Sequence, residues 1–236
     1  MTKGQGGIAF VPARGGSKGI KNKNVAPLAG KPLLQYTIEA ARGSNVVDRI
    51  VVSSDSPEIL RVAEALGAEP LRRPPELATD NASTDDAIAH FIECLDLSRA
   101  PHTPIILLQP TSPLRTPAHV AAAVGLWRTA DALGIISVCE PDKHPAKSFT
   151  LDENGYLVGL VDKNAPFVAR QMLPVAYMPN GAIYVFSVGG FAEGRCIPRT
   201  GLLPLIMDIR SSVDIDSLAD LARAEQYLHE SRDDKL

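Results

Sequence analysis

Cysteine is scarce: Cys94, Cys139 and Cys196 are the only three in 236 residues, and they stand far apart. An odd number at such distances suits neither a disulfide framework nor a paired-cysteine metal site, and a reducing cytoplasm is the expectation. Long apolar runs are missing too. None approaches the ~18 residues that span a bilayer, so no membrane partner is expected. The opening stretch MTKGQGGIAFVPARGG lacks the apolar core of an export signal. The net charge of −3 excludes a chain that is basic overall, and 45% hydrophobic residues exclude a disordered one. At roughly 150 residues per domain, the length fits one domain over 1–236, with room for a lobe.

Acidic residues are absent from one place in particular. None precedes Glu39, whereas Lys3, Arg14, Lys18, Lys21, Lys23 and Lys31 do. A cationic start to an acidic chain suggests a local anion site; the alternative is a solvated basic arm or one resting on nucleic acid. The basic stretch is short, follows an apolar run and has few aromatics near it, so a nucleic-acid partner is not expected.

Strand and helix signals alternate along the chain. Ile8–Val11, Ile50–Val52, Ile105–Leu108 and Gly134–Val138 are short apolar runs that predict buried strands. Between them, Pro32 opens a helix that Gly43 can close, and Ser56-Pro57 starts one stopped by Gly67. Ser83, with Asp86 three residues on, has the form of a capping box for a helix to about Leu97. Thr116-Pro117 begins another, through Trp127. Residues 70–80, with three prolines and no period, predict a loop. The alternation implies crossover units and a mainly parallel α/β sheet flanked by helices. It breaks at Asp142–Tyr177, which is rich in Pro, Asn and Lys and predicts an excursion from the sheet. Ala182–Phe186 and Leu205–Ile209 restore strand character, and Ser217–His229 closes the chain as a helix.

The cations fall in V-P-A-R-G-G-S-K-G-I-K-N-K-N, directly after the first strand. Ligands of open parallel sheets bind beyond the carboxyl ends of strands, so a site is expected here. Gly15, Gly16 and Gly19 let backbone amides approach a phosphate, and Arg14, Lys18 and Lys23 supply charge. A structural turn is the competing interpretation. No G-x4-G-K-[ST] occurs, so the loop is not a Walker A motif. Asp214 and Asp216 are one residue apart; on extended chain both carboxylates face one side, where a magnesium ion could sit. Capping of the last helix by Asp216 is the alternative. Gln109 follows the third strand, where a polar side chain can reach a ligand hydroxyl. Asn180 and Tyr184 begin the next strand, with ordinary packing the alternative for Tyr184. Arg115 divides evenly between ligand contact and loop support. No partner at triad or metal spacing accompanies His144, which is expected to position its loop.

The loop P-A-R-G-G-S-K-G-I-K-N-K-N resembles the signature of the CMP-sialic acid synthetases (acylneuraminate cytidylyltransferases). The same order of motifs follows: E-L-A-T-D-N-A-S-T from Glu76, L-L-Q-P-T-S-P-L-R from Leu107, H-P-A-K from His144, R-Q-x-L-P from Arg170, N-G-A-I-Y from Asn180 and D-I-D from Asp214. The resemblance runs from Ile8 to about Glu230. It implies a nucleotidyltransferase-type, Rossmann-like sheet, with residues 142–177 extended to pair with a second subunit as a homodimer. It implies transfer of CMP from CTP to the anomeric 2-hydroxyl of a nine-carbon 2-keto acid sugar, with release of pyrophosphate.

Residue by residue, the resemblance gives Arg14 and Lys23 to the triphosphate, with Gly15, Gly16, Ser17, Lys18 and Asn24 in the same nucleotide-binding motif. Ser83 falls to cytosine, and Asp214 and Asp216 to Mg2+, with Mn2+ as a substitute. Lys147 and Arg170 match residues near the sugar carboxylate, and Gln109, Asn180 and Tyr184 fall to the sugar. Arg14, Lys23, Asp214 and Asp216 are the expected catalytic set. Arg195–Pro204 lacks the paired aromatics that some bacterial members place near the N-acyl pocket, and Met178 stands where arginine is common. These departures leave the exact sugar open: N-acetylneuraminate is expected first and legionaminate or another nonulosonate second. Pseudaminate and octulosonate enzymes resemble the chain less. A nucleotide-binding module without catalysis is the non-enzymatic alternative, and retention of both the cations and the aspartate pair argues against it.

Overall fold

The computed structural model describes residues 6–16 and 19–233. Of the cationic start, Lys3, Ser17 and Lys18 lie outside the described residues. Strand β1 (Gly7–Pro12) leads into the basic loop, and a two-strand ribbon, β2 (Pro27–Leu28) and β3 (Lys31–Pro32), precedes helix α1 (Leu33–Gly43). Then follow β4 (Val47–Ser54), α2 (Pro57–Ala65), β5 (Glu69–Arg72), α3 (Thr84–Cys94), β6 (Pro104–Leu107), α4 (Pro117–Thr129) and β7 (Gly134–Cys139). A small hairpin, β8 (Phe149–Leu151) and β9 (Leu157–Gly159), stands apart from the main sheet. The chain returns through β10 (Met178–Ser187), α5 (Val188–Gly194), β11 (Leu202–Ile206) and α6 (Leu218–Asp233).

The main sheet has seven strands in the order β11-β7-β10-β6-β1-β4-β5. All neighbours are parallel except β10, which runs antiparallel to both β6 and β7. Side chains alternate across a strand, and the sheet uses both faces. Ala9, Val11, Val52, Ile106 and Leu108 pack with α1, α2 and α4, around Ile38, Ile59 and Trp127. Ile8, Phe10, Val51, Ile105 and Leu107 pack on the other face with α3 and α5, where the Phe10 and Phe91 rings lie 4.7 Å apart. The result is a three-layer sheet flanked by helices, as the alternation predicts.

The helix starts follow their sequence signals. Ser56 Oγ accepts from Ile59 N with Pro57 at the first turn, and Gly67 adopts φ +73° just past the end of α2. Ser83 and Asp86 form the full capping box. Three expectations need correction. Residues 69–72 form a strand rather than a loop. It lies at the sheet edge, where proline is tolerated, and Pro70 is in register with Val52. β11 ends at Ile206, three residues before the expected stop, because Asp208 turns the chain by accepting from Ser211 N at 2.9 Å. α3 stops at Cys94, and a 3-10 turn over Leu97–Arg99 follows.

β1 lies between β4 and β6, so the chain passes to opposite sides of it: a topological switch point, whose crevice faces the carboxyl ends of the strands. A third small cluster seals one flank. Ile20 of the basic loop packs with Leu28, Leu33, Val213, Ile215 and Ala224, joining the loop to the aspartate segment and α6.

Candidate active site

The basic loop is held by polar contacts made with its own backbone. Gly15 N donates to Asp55 Oδ1 at 2.8 Å, and the buried Asn24 donates through Nδ2 to Arg14 O at 2.9 Å. Asn24 therefore shapes the loop. Lys23, whose side chain is 14% exposed, donates from Nζ to Ile215 O at 2.7 Å and to Asp216 Oδ1 at 3.0 Å. Gly19 meets the same segment from the other side. A Cβ there would stand 2.1 Å from the Asp216 carbonyl oxygen, an approach only glycine permits. Loop and aspartate segment are thus locked face to face, while Lys21 is exposed.

Two adjoining cavities open beside this joint. The first, about 280 Å³, is lined by Arg14, Gly16, Lys23, Asn24, Arg73, Ser83, Gln109 and Thr111 among others. The second, about 380 Å³, is lined by Gln109, Tyr184, Arg199 and the apolar Leu107, Ile136, Ile197 and Leu202. Ser83, Thr84 and Gln109 belong to both. Arg14 donates to Asp80 Oδ1 at 2.8 Å and to Thr79 O at 3.2 Å, which points its charge across the mouth of the first cavity.

Asp214 and Asp216 flank the buried Ile215, whose amide donates to Thr111 O at 2.8 Å. Partial loss of water lifts the Asp214 carboxyl above the usual aspartate range. Asp216 and Asp220 push the same way, against a hydrogen bond from Thr111 and the charge of Lys23. Two carboxylates that feel each other's charge form a donor pair suited to a hard divalent cation, with phosphate oxygens and water completing its shell. Burial also lifts the Tyr184 phenol, with Asp214 adding to the shift and Arg199 opposing it. Tyr184 therefore stands in the fields of Asp214 and of Arg199, which lines the second cavity.

Several expected residues are elsewhere. Asn180 is buried and lines neither cavity. Its Oδ1 accepts from Ser137 Oγ at 2.6 Å and Ala182 N at 3.1 Å, and its Nδ2 donates to Ser212 Oγ at 2.8 Å. Those bonds use the carboxamide to join β7, β10 and the turn after β11. Lys147 and Arg170 sit on the excursion, also outside both cavities. Among the described residues they reach backbone carbonyls alone, Pro166 O at 3.5 Å and Asp142 O at 3.4 Å. His144 positions its loop, accepting from Ala146 N at 3.2 Å while its Nε2 lies 2.8 Å from Pro174 O. Arg115 is a loop support: 3% exposed, it donates to two carbonyls and a hydroxyl, and burial lowers it to about 9.

Arg73 escapes the sequence reasoning. It lines the first cavity, 5% exposed, held by Ser53 Oγ at 3.0 Å and Ser53 O at 2.9 Å. Burial lowers it to about 10, against the field of Asp55 and together with that of Arg14. Its only signal was an arginine at the end of a run whose strand character the prolines concealed.

A family model described as cytidylyltransferase matches residues 8–151. An N-acylneuraminate cytidylyltransferase of Escherichia coli O18:K1:H7 is 38% identical over 92% of this chain, which spans 51% of that relative. One from Streptococcus agalactiae serotype III is 33% identical, with 53% of its length spanned. The chain thus spans about half the length of these curated relatives. A CMP-N,N'-diacetyllegionaminic acid synthase of Legionella pneumophila is 33% identical over 94% of this chain and 95% of its own. Among solved structures, a CMP:2-keto-3-deoxy-manno-octonic acid synthetase complexed with CTP has the same fold, with a TM-score of 0.69 over 96% of this chain at 16% identity. With the basic loop, the switch-point crevice and the aspartate pair in one site, these matches establish that the chain belongs to the cytidylyltransferase family.

Proposed function

We propose that the chain transfers CMP from CTP to the anomeric 2-hydroxyl of a nonulosonic acid and releases pyrophosphate. One observation carries the proposal: Lys23, which lines the first cavity, bonds Ile215 O and Asp216, and Gly19 packs on the same segment, which supports a phosphate site and a cation site side by side. The hydroxyl oxygen forms a bond to the α-phosphorus as the bond to the bridging oxygen of the β-phosphate breaks, and the hydroxyl proton leaves to solvent. Such transfers depend mainly on positioning and charge neutralisation. Arg14 and Lys23 hold the triphosphate and the departing pyrophosphate, Gly15 and Gly16 let it approach the backbone, and Ser83 borders the base. Gln109 and Tyr184 orient the sugar from the second cavity. Asp214 and Asp216 would hold Mg2+, or Mn2+ in its place, which would neutralise phosphate charge when bound.

N-acetylneuraminate is the first sugar proposed and legionaminate the second, in keeping with the names of relatives at 38% and 33% identity. The proposed setting is the cytoplasm, consistent with free cysteines and with the absence, among the described residues, of any helix long and apolar enough to cross a membrane. The proposed assembly is a homodimer built through the excursion. Its support is the exposure of Leu157 (67%), Phe167 (80%) and Met172 (75%) on one lobe. Exposed apolar surface of that extent marks an interface. Lys147 and Arg170 would then reach the site of the other subunit.

The test is pyrophosphate release from CTP and magnesium with a panel of acid sugars. Release with N-acetylneuraminate or legionaminate is expected, with ATP and GTP at least about tenfold poorer. CTP binding without release on any acid sugar would make the chain a binding module instead.

A further inference from the structure

Arg115 is a full positive charge in the interior, and its perturbation comes from loss of water on burial. Its hydrogen-bond partners among the described residues are all neutral: Gln109 O at 3.1 Å, Ala182 O at 2.8 Å and Thr37 Oγ1 at 2.6 Å. Its Nε is buried without a partner among the described residues. Burying a cation among neutral dipoles is costly, and here hydrogen bonds to three acceptors, not an opposite charge, offset that cost.

The register of the sheet shows what the charge is placed to do. β6 and β10 pair antiparallel, and the last matched residues toward the crevice are Leu107 and Tyr184. Continued by two residues, that register would set Gln109 opposite Ala182. The strands part before they get there. On its other edge β10 shifts register against β7 between Pro179 and Tyr184, an irregularity of the kind that re-aims side chains beside active sites. Gly181 takes φ +74° within it. One guanidinium nitrogen of Arg115 bridges the carbonyls of the two residues that the ladder would otherwise have paired. The other is fixed on Thr37 of α1, so the fork is tied to a helix of the core.

Gln109 stands at the mouth of that fork and belongs to both cavities. Its side chain rests on Gly181, where an added Cβ would lie 2.6 Å from Gln109 Oε1. We infer that Arg115 is a positioning residue: it props the β6–β10 fork open and, through the Gln109 and Ala182 carbonyls, sets the Gln109 carboxamide between the two ligand cavities. Lysine cannot replace it, because one ammonium lacks the planar fork that reaches three acceptors on three elements. The inference rests on the cytidylyltransferase function proposed above.

The test is a double-mutant cycle of Arg115→Lys and Gln109→Ala on the full chain, read well below each variant's unfolding midpoint. Each single change is expected to lower kcat/KM by about 30-fold, and the double variant to be no worse than the poorer single one, since both would remove one contact. Multiplying losses, or wild-type kcat/KM in Arg115→Lys, would overturn the inference. Gln109 also lines the first cavity, where the nucleotide is proposed to bind, so calorimetric CTP binding gives the same cycle without turnover. Thus a chain that binds CTP but releases no pyrophosphate would defeat the proposed reaction and still decide the role of Arg115. Should Arg115→Lys not fold, Thr37→Val removes the third anchor while leaving the arginine. It is expected to weaken CTP binding in the wild-type background and not further in Gln109→Ala; an equal loss in both backgrounds would overturn the inference.

Discussion

The basic loop after β1 and the lobe between β7 and β10 both present cations among polar neighbours, and the fold treats them in opposite ways. Lys23 is nearly buried, with two oxygen acceptors within 3.0 Å, and its loop is pinned by Asn24 and Asp55. Lys147 and Arg170 are exposed and reach single carbonyls at 3.4–3.5 Å. Apolar residues differ in the same sense: Ile20 beside the loop is 8% exposed and Phe167 of the lobe 80%. A site is preorganised where its charges already have fixed partners. By that measure the first loop is finished within one chain, whereas the lobe is the part that the proposed homodimer would complete.

The largest test of this contrast is at the finished end. Asp214→Ala or Asp216→Ala should lower the rate of pyrophosphate release by about 100-fold or more, at 1.4 kcal/mol per decade, and leave the thermal midpoint nearly unchanged. Undiminished magnesium-dependent release in the double variant would remove these residues from the proposed metal site; the last helix is capped by Ser217, whose Oγ accepts from Asp220 N at 3.3 Å, and not by Asp216. Next is the buried support behind the site. Arg115→Met leaves two carbonyls and a hydroxyl without their donor, and a loss of about 3 kcal/mol in chemical denaturation is expected. An unchanged midpoint would mean that the surroundings repack freely.

At the unfinished end, Leu157→Glu with Phe167→Glu should convert a dimer to a monomer in light scattering while the far-ultraviolet spectrum and CTP binding persist. A wild-type chain that is already monomeric and fully active would end the contrast. The smallest effect is in pH. The Asp214 carboxyl is raised in the folded chain, so its contribution to stability is present below the ordinary aspartate pKa and is lost as pH rises through the raised value. Asp214→Asn should therefore melt no lower than the wild type near pH 7 when divalent cations are chelated. A clear fall in its midpoint would reverse the sign.

The same contrast explains what the sequence disclosed. β1, α2 and the Ser83 capping box were legible because their signals are local: an apolar run, a Ser-Pro start, a Ser and an Asp three apart. The basic loop was legible because glycine and charge have few other uses directly after a strand. Arg73 was not, since its place in the crevice depends on β5, an edge strand whose proline hides it, and on Ser53 twenty residues earlier. Asn180 looked like a ligand contact because polarity at the start of a strand is ambiguous. Its actual partners, Ser137 and Ser212, meet it only through the β7–β10 pairing and the turn after β11.

The antiparallel course of β10 has a consequence for how the molecule comes apart. Cys139 at the end of β7 is in register with Met178 at the start of β10, so residues 140–177 amount to one very long hairpin loop whose ends the sheet already holds together. Closing a loop whose ends are fixed adds little entropy per added residue, and such a loop can melt or be exchanged without opening the ladder beneath it. The lobe is thus a cassette. A short turn joining Cys139 to Met178 should leave a folded sheet with its crevice intact, and a different lobe could be grafted at the same two residues.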